Sequence, residues 1–347
     1  MKIIKNEVKK ILVIKLRGIG DVILSTIVLD SLKENFPNAK IDFLTEKISF
    51  QVLKGLPQIN NLIEFNRKNT LQRLKLFPLI RKKKYDLILD LFSNPATAQL
   101  TFLSGARYRI GFPYRGRKYA YNLFGPSERG KFHAGLLHLE VLRLIGLKIS
   151  SQKLYFALNK KHNIFAKQYV NSNNLKHKLL VGLIPSGGWS SKRCDPSKFA
   201  EIGEEIIKKY DAHVLILWGP GDYDDAVTIK RQLRSNAVLA PKTSLSEMGA
   251  LISNCDFIVA NDCGPMHIAV ALSIPVLSLH GPTNPKLQGP LGTKHEWIRL
   301  EELDCIGCNL LECPKNHECF KNLPVDNVIT KIDRLIEKNN ILSNEKN

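Results

Sequence analysis

The chain has 347 residues, room for about two domains of ordinary size, each able to bury its own core. Its residues are 44% hydrophobic, yet no uninterrupted apolar run approaches the roughly 20 residues of a spanning helix, which excludes a helical integral membrane protein. The 51 Lys+Arg against 32 Asp+Glu leave a net charge of +19, which calls for an acidic partner without choosing among nucleic acid, an anionic membrane surface and a phosphorylated substrate. The start, MKIIKNEVKKILVIKL, lacks the long apolar stretch and small-residue cleavage site of a secretory signal. The expected location is the cytoplasm, where seven cysteines fit reduced thiols.

ILVIKL (residues 11–16) has strand length and β-branched content, and Val22, Ile23, Ile27, Leu29, Leu32 and Phe36 recur at roughly helical spacing until FPNAK interrupts them. IDFLT is the next strand and completes a β-α-β unit. YDLILDLF (85–92) reads as another buried strand, and HLEVLRLIGL ends a helix at Gly146. After the polar stretch NKKHNIFAKQYVNSNNLKHK the rhythm restarts with LLVGLIPSGG, a strand running into a glycine turn. HVLILW, DFIVAND and PVLSLHG then alternate with helical segments starting near Pro196, Asp222, Ser246 and Pro265, and Val325 to Leu342 reads as a terminal amphipathic helix. The pattern predicts an α/β protein of two Rossmann-like doubly wound domains, residues 1–165 and 176–347, with a linker near 160–177.

Several turns carry chemistry. RGIGD (17–21) follows the first strand, but a dinucleotide fingerprint needs a third glycine where Ile23 stands, and Asp21 would put negative charge where a pyrophosphate should lie. An aspartate at a helix start is held as the anion by the helix dipole and is able to take a proton from a hydroxyl; the alternative is an N-cap that only satisfies free amides. IPSGGWSSKR (184–193) gathers two glycines, hydroxyls and two cations at a strand end, a composition suited to an anion. In NDCGPMHIAVAL, Pro265 begins a helix whose Gly264, Met266 and His267 amides are placed for a phosphate. HGPTNP follows the next strand at the same sheet edge, where ligands of open α/β sheets bind.

In their order along the chain these stretches, with SGARYRIGF, KFHAGLLHLEVLRLIGL, KRCDPSKFAEI and WGPGD, resemble the ADP-heptose:lipopolysaccharide heptosyltransferases. Those are inverting glycosyltransferases of GT-B architecture, whose two Rossmann-like domains face a central cleft. The resemblance covers nearly the whole chain and implies that Asp21 deprotonates the acceptor hydroxyl, beside Gly18 and Gly20. It puts Lys192 on the departing diphosphate, with Ser186, Gly187 and Gly188 in the same turn. Asp222 is expected on the ribose, Thr243, Ser244 and Leu245 beside the adenine, and Asp262, Gly264, Pro265, Met266 and His267 along the sugar diphosphate. Gly281, Pro282 and Thr283 close the donor site. No catalytic cofactor is implied, since a lysine and helix amides stabilise the leaving phosphate. The chain departs from the family pattern at Lys15 (usually arginine), Ile27 (proline), Cys194 (tryptophan) and Cys263 (a hydroxyl residue), the last leaving a weaker donor near the diphosphate.

ARYRIGFPYRGRKYAYNLF interleaves cations with aromatics, which suits a nucleic-acid surface, a solvated face or, given the resemblance, phosphates of a lipid A-type core acceptor met by Arg107, Arg109, Arg115, Arg117 and Lys118. The acceptor's anionic inner leaflet would then account for the net charge through peripheral contact with the cytoplasmic membrane. Cys305, Cys308, Cys313 and Cys319 have the spacing C-x2-C-x4-C-x5-C, open to a structural zinc or iron or to reduced thiols or a labile disulfide. His133 and His138, near a helix start, read as packing or acceptor residues. The expected activity is heptose transfer from an ADP-sugar to a lipopolysaccharide core. The alternatives are a protein acceptor and a basic nucleic-acid-binding protein on the same scaffold.

Overall fold

Short β-branched runs become strands in both halves of the chain. The computed structural model describes residues 1–342. It divides after Ala157 into two units, each built on its own six-stranded parallel sheet.

In the first unit the strands are β1 (Lys10–Ile14), β2 (Lys40–Thr45), β3 (Asn61–Glu64), β4 (Leu87–Asp90), β5 (Tyr108–Gly111) and β6 (Leu123–Phe124), in the spatial order β3-β2-β1-β4-β5-β6. The second holds β7 (Leu180–Ile184), β8 (His213–Ile216), β9 (Ala237–Leu239), β10 (Phe257–Asn261), β11 (Val276–Leu279) and β12 (Glu296–Ile298), in the order β12-β11-β10-β7-β8-β9. Counted from its own first strand, each sheet has the doubly wound order 3-2-1-4-5-6. The crossovers reverse direction between β1 and β4 and between β7 and β10, and the crevice at such a switch point is where an open α/β sheet takes its ligand.

Burial follows the sequence pattern. In the first unit the helices Thr70–Lys83 and Pro95–Leu103 bring Leu76, Ile80 and Leu100 onto Leu12, Ile14 and Ile88 of the sheet. In the second, the terminal helix runs Val325–Lys338 and buries Val328, Ile332 and Leu335 in the core that contains Phe199, Phe257 and Leu277. The helix expected after β1 is interrupted. Ile19–Ser25 passes through a 3-10 turn, Thr26–Val28, into Leu29–Asn35. There the Ser25 and Thr26 hydroxyls each donate to the carbonyl three residues back at 2.6 Å, a bond that tightens a helix.

The stretch expected as a linker is instead a helix of the second unit, Lys160–Ser172, capped by Asn159, whose Oδ1 accepts from His162 N at 3.0 Å. Ala166 and Val170 are its buried face, and Tyr169 Oη donates to Leu239 O at 2.8 Å. The division therefore falls at Ala157, ahead of the expected residue 165, because two small apolar residues and a tyrosine suffice to dock a helix whose composition is polar.

Candidate active site

The turn after β1 reaches the switch point of the first sheet. Gly18 has φ +76°, which favours glycine, and a Cβ there would stand 2.8 Å from Asp21 Oδ2 and push that carboxylate aside. Gly18 is also the N-cap of the helix, which makes Asp21 its third residue and not its cap. Lys15, directly after β1, is 3% exposed and its Nζ lies 3.0 Å from Asp21 Oδ1, while the Asp21 side chain is 54% exposed. A buried cation thus fixes a carboxylate that still reaches solvent, a suitable state for accepting a proton from a bound hydroxyl.

The neighbouring histidines are spoken for. His138 is buried with Nδ1 3.3 Å from Leu24 O, and burial, then the Lys15 charge, push its imidazole down to about 3. It stays neutral and enclosed. His133 caps the helix Ala134–Leu144, its Nδ1 accepting from Gly135 N at 3.1 Å.

The turn after β4 completes this edge through a residue that the sequence reading passed over. Asp90 is fully buried and accepts from Phe92 N at 3.1 Å, Ser93 N at 2.8 Å and Tyr121 Oη at 2.8 Å, while burial raises its carboxyl above the ordinary range. It shapes the turn that carries Phe92, whose ring centroid is 5.9 Å from Lys15 Nζ.

The expected acceptor cations separate into two groups. Arg115 and Arg117 follow the carboxyl end of β5, and the Arg117 guanidinium lies 5.2 Å over the Tyr114 ring, while Lys118 starts the 3-10 turn Lys118–Ala120 on the chain's way back to β6. Arg129, unassigned from sequence, lies 5.6 Å over both Phe112 and Tyr114. Arg107 precedes β5 at the opposite edge, paired with Glu7, and Arg109 spends its guanidinium on Ala120 O at 3.0 Å and Ala106 O at 2.8 Å. The structure does not bring these two to Asp21, because a residue before a strand and one within it cannot reach the carboxyl end.

At the second switch point Lys192 ends the 3-10 turn Ser190–Lys192, with Nζ 4.3 Å over the Trp189 ring and 2.7 Å from Asp262 Oδ2. Burial alone would raise the Asp262 carboxyl, but the Lys192 charge, then His280, outweigh it and hold the group below its ordinary range. Thr283 Oγ1 donates to the same Oδ2 at 2.8 Å, His280 Nδ1 lies 3.2 Å from Thr283 Oγ1, and His280 Nε2 lies 2.9 Å from Ser278 Oγ. His280 is wholly buried and pushed down to about 4 by that burial, so it is neutral at physiological pH. The result is a continuous polar array, Lys192, Asp262, Thr283, His280 and Ser278, of which the sequence reading named three members.

Asn261 ties the turns together, donating to Pro185 O at 2.8 Å and accepting from Cys194 N at 3.4 Å. Cys263 stands at the N-cap position of the helix Gly264–Ala271, whose first residues, Gly264, Pro265, Met266 and His267, follow the carboxyl end of β10 at the switch point. Ser186 Oγ donates to Asp222 Oδ2 at 2.6 Å, and Arg193 pairs with Asp222 Oδ1 at 2.8 Å while donating to Gly221 O at 3.0 Å and Gly187 O at 3.3 Å. Asp222 is therefore largely buried and engaged within the protein. Gly188 is exposed beside this turn. Thr243, Ser244 and Leu245 begin the helix Leu245–Ile252 after β9, with Ser244 and Glu247 forming a reciprocal capping box.

The four late cysteines lie in a strap, residues 304–319, laid across these turns. Gly307 N donates to Gly281 O at 3.1 Å and Asn309 N to Pro282 O at 2.8 Å. On the other side Ser191 N donates to Leu311 O at 3.2 Å, and His317 Nε2 lies 3.1 Å from Ser190 O. The residues do not fit a structural metal. Among the described residues no three His, Cys, Asp or Glu side chains converge as a metal site, and all four cysteines are free. Burial, and then the other three cysteines, push the Cys319 thiol up to about 12.

With this geometry in view, residues 73–317 match the family model described as glycosyltransferase family 9 (heptosyltransferase). The chain belongs to that family. This family 9 enzyme is 24% identical over 331 residues to lipooligosaccharide heptosyltransferase 2 of Campylobacter jejuni, covering 93% of this chain and 97% of that one. The glycosyl transferase family 9 structure from Veillonella parvula shares its fold at a TM-score of 0.84, with 22% identity over 95% of this chain and 97% of that one. Escherichia coli ADP-heptose LPS heptosyltransferase II gives a TM-score of 0.76, with 22% identity over 95% of this chain and 99% of that one. The fold is that of the GT-B heptosyltransferases, and the protein is a glycosyltransferase.

Proposed function

We propose that this family 9 glycosyltransferase moves a heptose from ADP-heptose to a lipopolysaccharide inner-core acceptor with inversion. The observation that carries the reading is the buried Lys192–Asp262–Thr283 array at the second switch point, beside the amides of Gly264, Met266 and His267. It is an anion site with one fixed cation, suited to a diphosphate that gains charge as it leaves. In this mechanism the diphosphate draws Lys192 from Asp262, while Gly281 to Thr283 and the Ser186 turn hold the rest of the nucleotide-sugar. Asp21 takes the proton from the acceptor hydroxyl, whose oxygen attacks the anomeric carbon opposite the departing phosphate, so that the configuration inverts.

Arg115, Arg117, Lys118 and Arg129 would meet the acceptor's phosphates, and the similarity to lipooligosaccharide and lipopolysaccharide heptosyltransferases supports a core oligosaccharide acceptor. Among the described residues no helix is long and apolar enough to cross a membrane. We place the enzyme's work in the cytoplasm, in peripheral contact with the inner face of the membrane. The test is a melting panel with ADP, UDP, GDP and CMP. A ligand at a hundred times its Kd stabilises by about 2.7 kcal/mol, so ADP alone should raise Tm clearly. Preference for UDP would remove the heptose reading and leave the fold untouched.

A further inference from the structure

The helix Thr70–Lys83 has two working faces. Leu76 and Ile80 go into the core of the first unit, yet Leu71, Leu74 and Leu79 are 71%, 57% and 43% exposed on the opposite side. Their positions, 0°, 300° and 80° around a helical wheel of about 100° per residue, put them on one outward stripe. Lys75 and Lys82, both exposed, fall in the middle of that stripe. No carboxylate among the described residues lies within ion-pair distance of either, whereas Lys83, on the inner flank, is taken by Asp42 at 2.9 Å. From residue 65 to residue 85 the chain carries eight Lys and Arg and no Asp or Glu.

The stripe does not end with the helix. Arg81 Nη1 donates to Leu103 O at 3.0 Å, and Leu103 is exposed next to Phe102, whose ring packs edge-on at 5.4 Å against exposed Tyr119. Exposed aliphatic and aromatic groups framed by unpaired cations match an anionic lipid surface, where acyl chains take the leucines and phosphates take the ammonium groups. Nucleic acid would use the cations and leave the leucines in water.

We propose that the outer face of the helix Thr70–Lys83, continued by Phe102, Leu103 and Tyr119, is the surface on which this protein lies against an anionic bilayer. The choice of a membrane rests on the function proposed above, and the surface itself rests on exposure and charge. The helix begins at the carboxyl edge of the sheet, the edge that carries Asp21, so a bilayer along this flank would hold an amphiphilic acceptor near that edge.

The experiment is cosedimentation of the full chain with vesicles of phosphatidylcholine alone and of phosphatidylcholine mixed equally with phosphatidylglycerol. The wild type should bind the mixed vesicles, more weakly as salt rises, and should leave the neutral ones. Leu71→Gln/Leu74→Gln/Leu79→Gln should partition at least about tenfold less, and Lys75→Glu/Lys82→Glu should lose at least as much. Both variants should melt like the wild type and should act normally on a deacylated, soluble acceptor. A wild type that stays in solution, or a leucine variant that sediments undiminished, overturns the proposal. Normal vesicle binding with no transfer to the deacylated acceptor would instead remove the heptosyltransferase reading and leave the surface standing.

Discussion

Lys192 and Asp262 form an ion pair in which each side chain is almost wholly enclosed, so removing one partner has two consequences that must be separated. Lys192→Ala should lower turnover by roughly a hundredfold or more, the usual cost of deleting an oriented charge stabiliser. It should also destabilise the fold by about 3–5 kcal/mol, because Asp262 is left charged and buried with only Thr283 to bond it. Lys192→Ala/Asp262→Asn removes the stranded charge, so urea unfolding should show most of the stability restored while the steady-state rate stays low. Recovery of both together would make Lys192 a structural residue. The positions of Asp21, Lys192 and Asp262 were legible because glycine turns after apolar strands announce themselves locally. His280, Asn261 and Arg193 were not, since their meaning lies in partners such as Thr283, Pro185 and Asp222 that only folding brings near. Interleaved cations and aromatics likewise gave no sign of which sheet edge Arg107 would occupy.

Strands and helices were largely visible as periodicity, and the exceptions have physical causes. A polar run became the helix Lys160–Ser172 because an asparagine cap and two small buried residues are enough to dock it. The role of the cysteine strap was hidden because its holds on the Ser190 and Gly281 turns are backbone hydrogen bonds and hydroxyl or imidazole bonds to backbone carbonyls, none of which uses the cysteines. One contact with the Gly281 turn depends on close packing. A Cβ on Gly281 would stand 2.4 Å from Cys319 Sγ and 3.0 Å from the Phe320 ring. Gly281→Ala should therefore cost about 1–3 kcal/mol by overpacking and should weaken ADP binding by shifting the turn that carries Thr283. Gly281→Ala/Cys319→Ala should recover most of both, a coupling read from Tm and ADP affinity across the four proteins of a double-mutant cycle. Additive losses would mean that the strap does not position the turn.

For the whole molecule, the two sheets repeat one topology and put different chemistry at the same topological place, an exposed carboxylate in the first and a buried cation array in the second. That division suits a reaction in which one domain activates an acceptor hydroxyl and the other receives a leaving diphosphate. The most direct measurement is the intact mass of a deacylated core acceptor after incubation with ADP-heptose, for the wild type and for Asp21→Asn. Asn keeps the shape of the side chain and an oxygen for Lys15 Nζ, and position 21 is not the helix cap, so the variant should still fold, less stable because buried Lys15 loses its counter-ion, and should bind ADP normally. The wild type should add one heptose and release ADP, and the variant should do so roughly a hundred to ten thousand times more slowly. An acceptor of unchanged mass with the wild type, or equal transfer by a normally folded Asp21→Asn protein, would contradict the account.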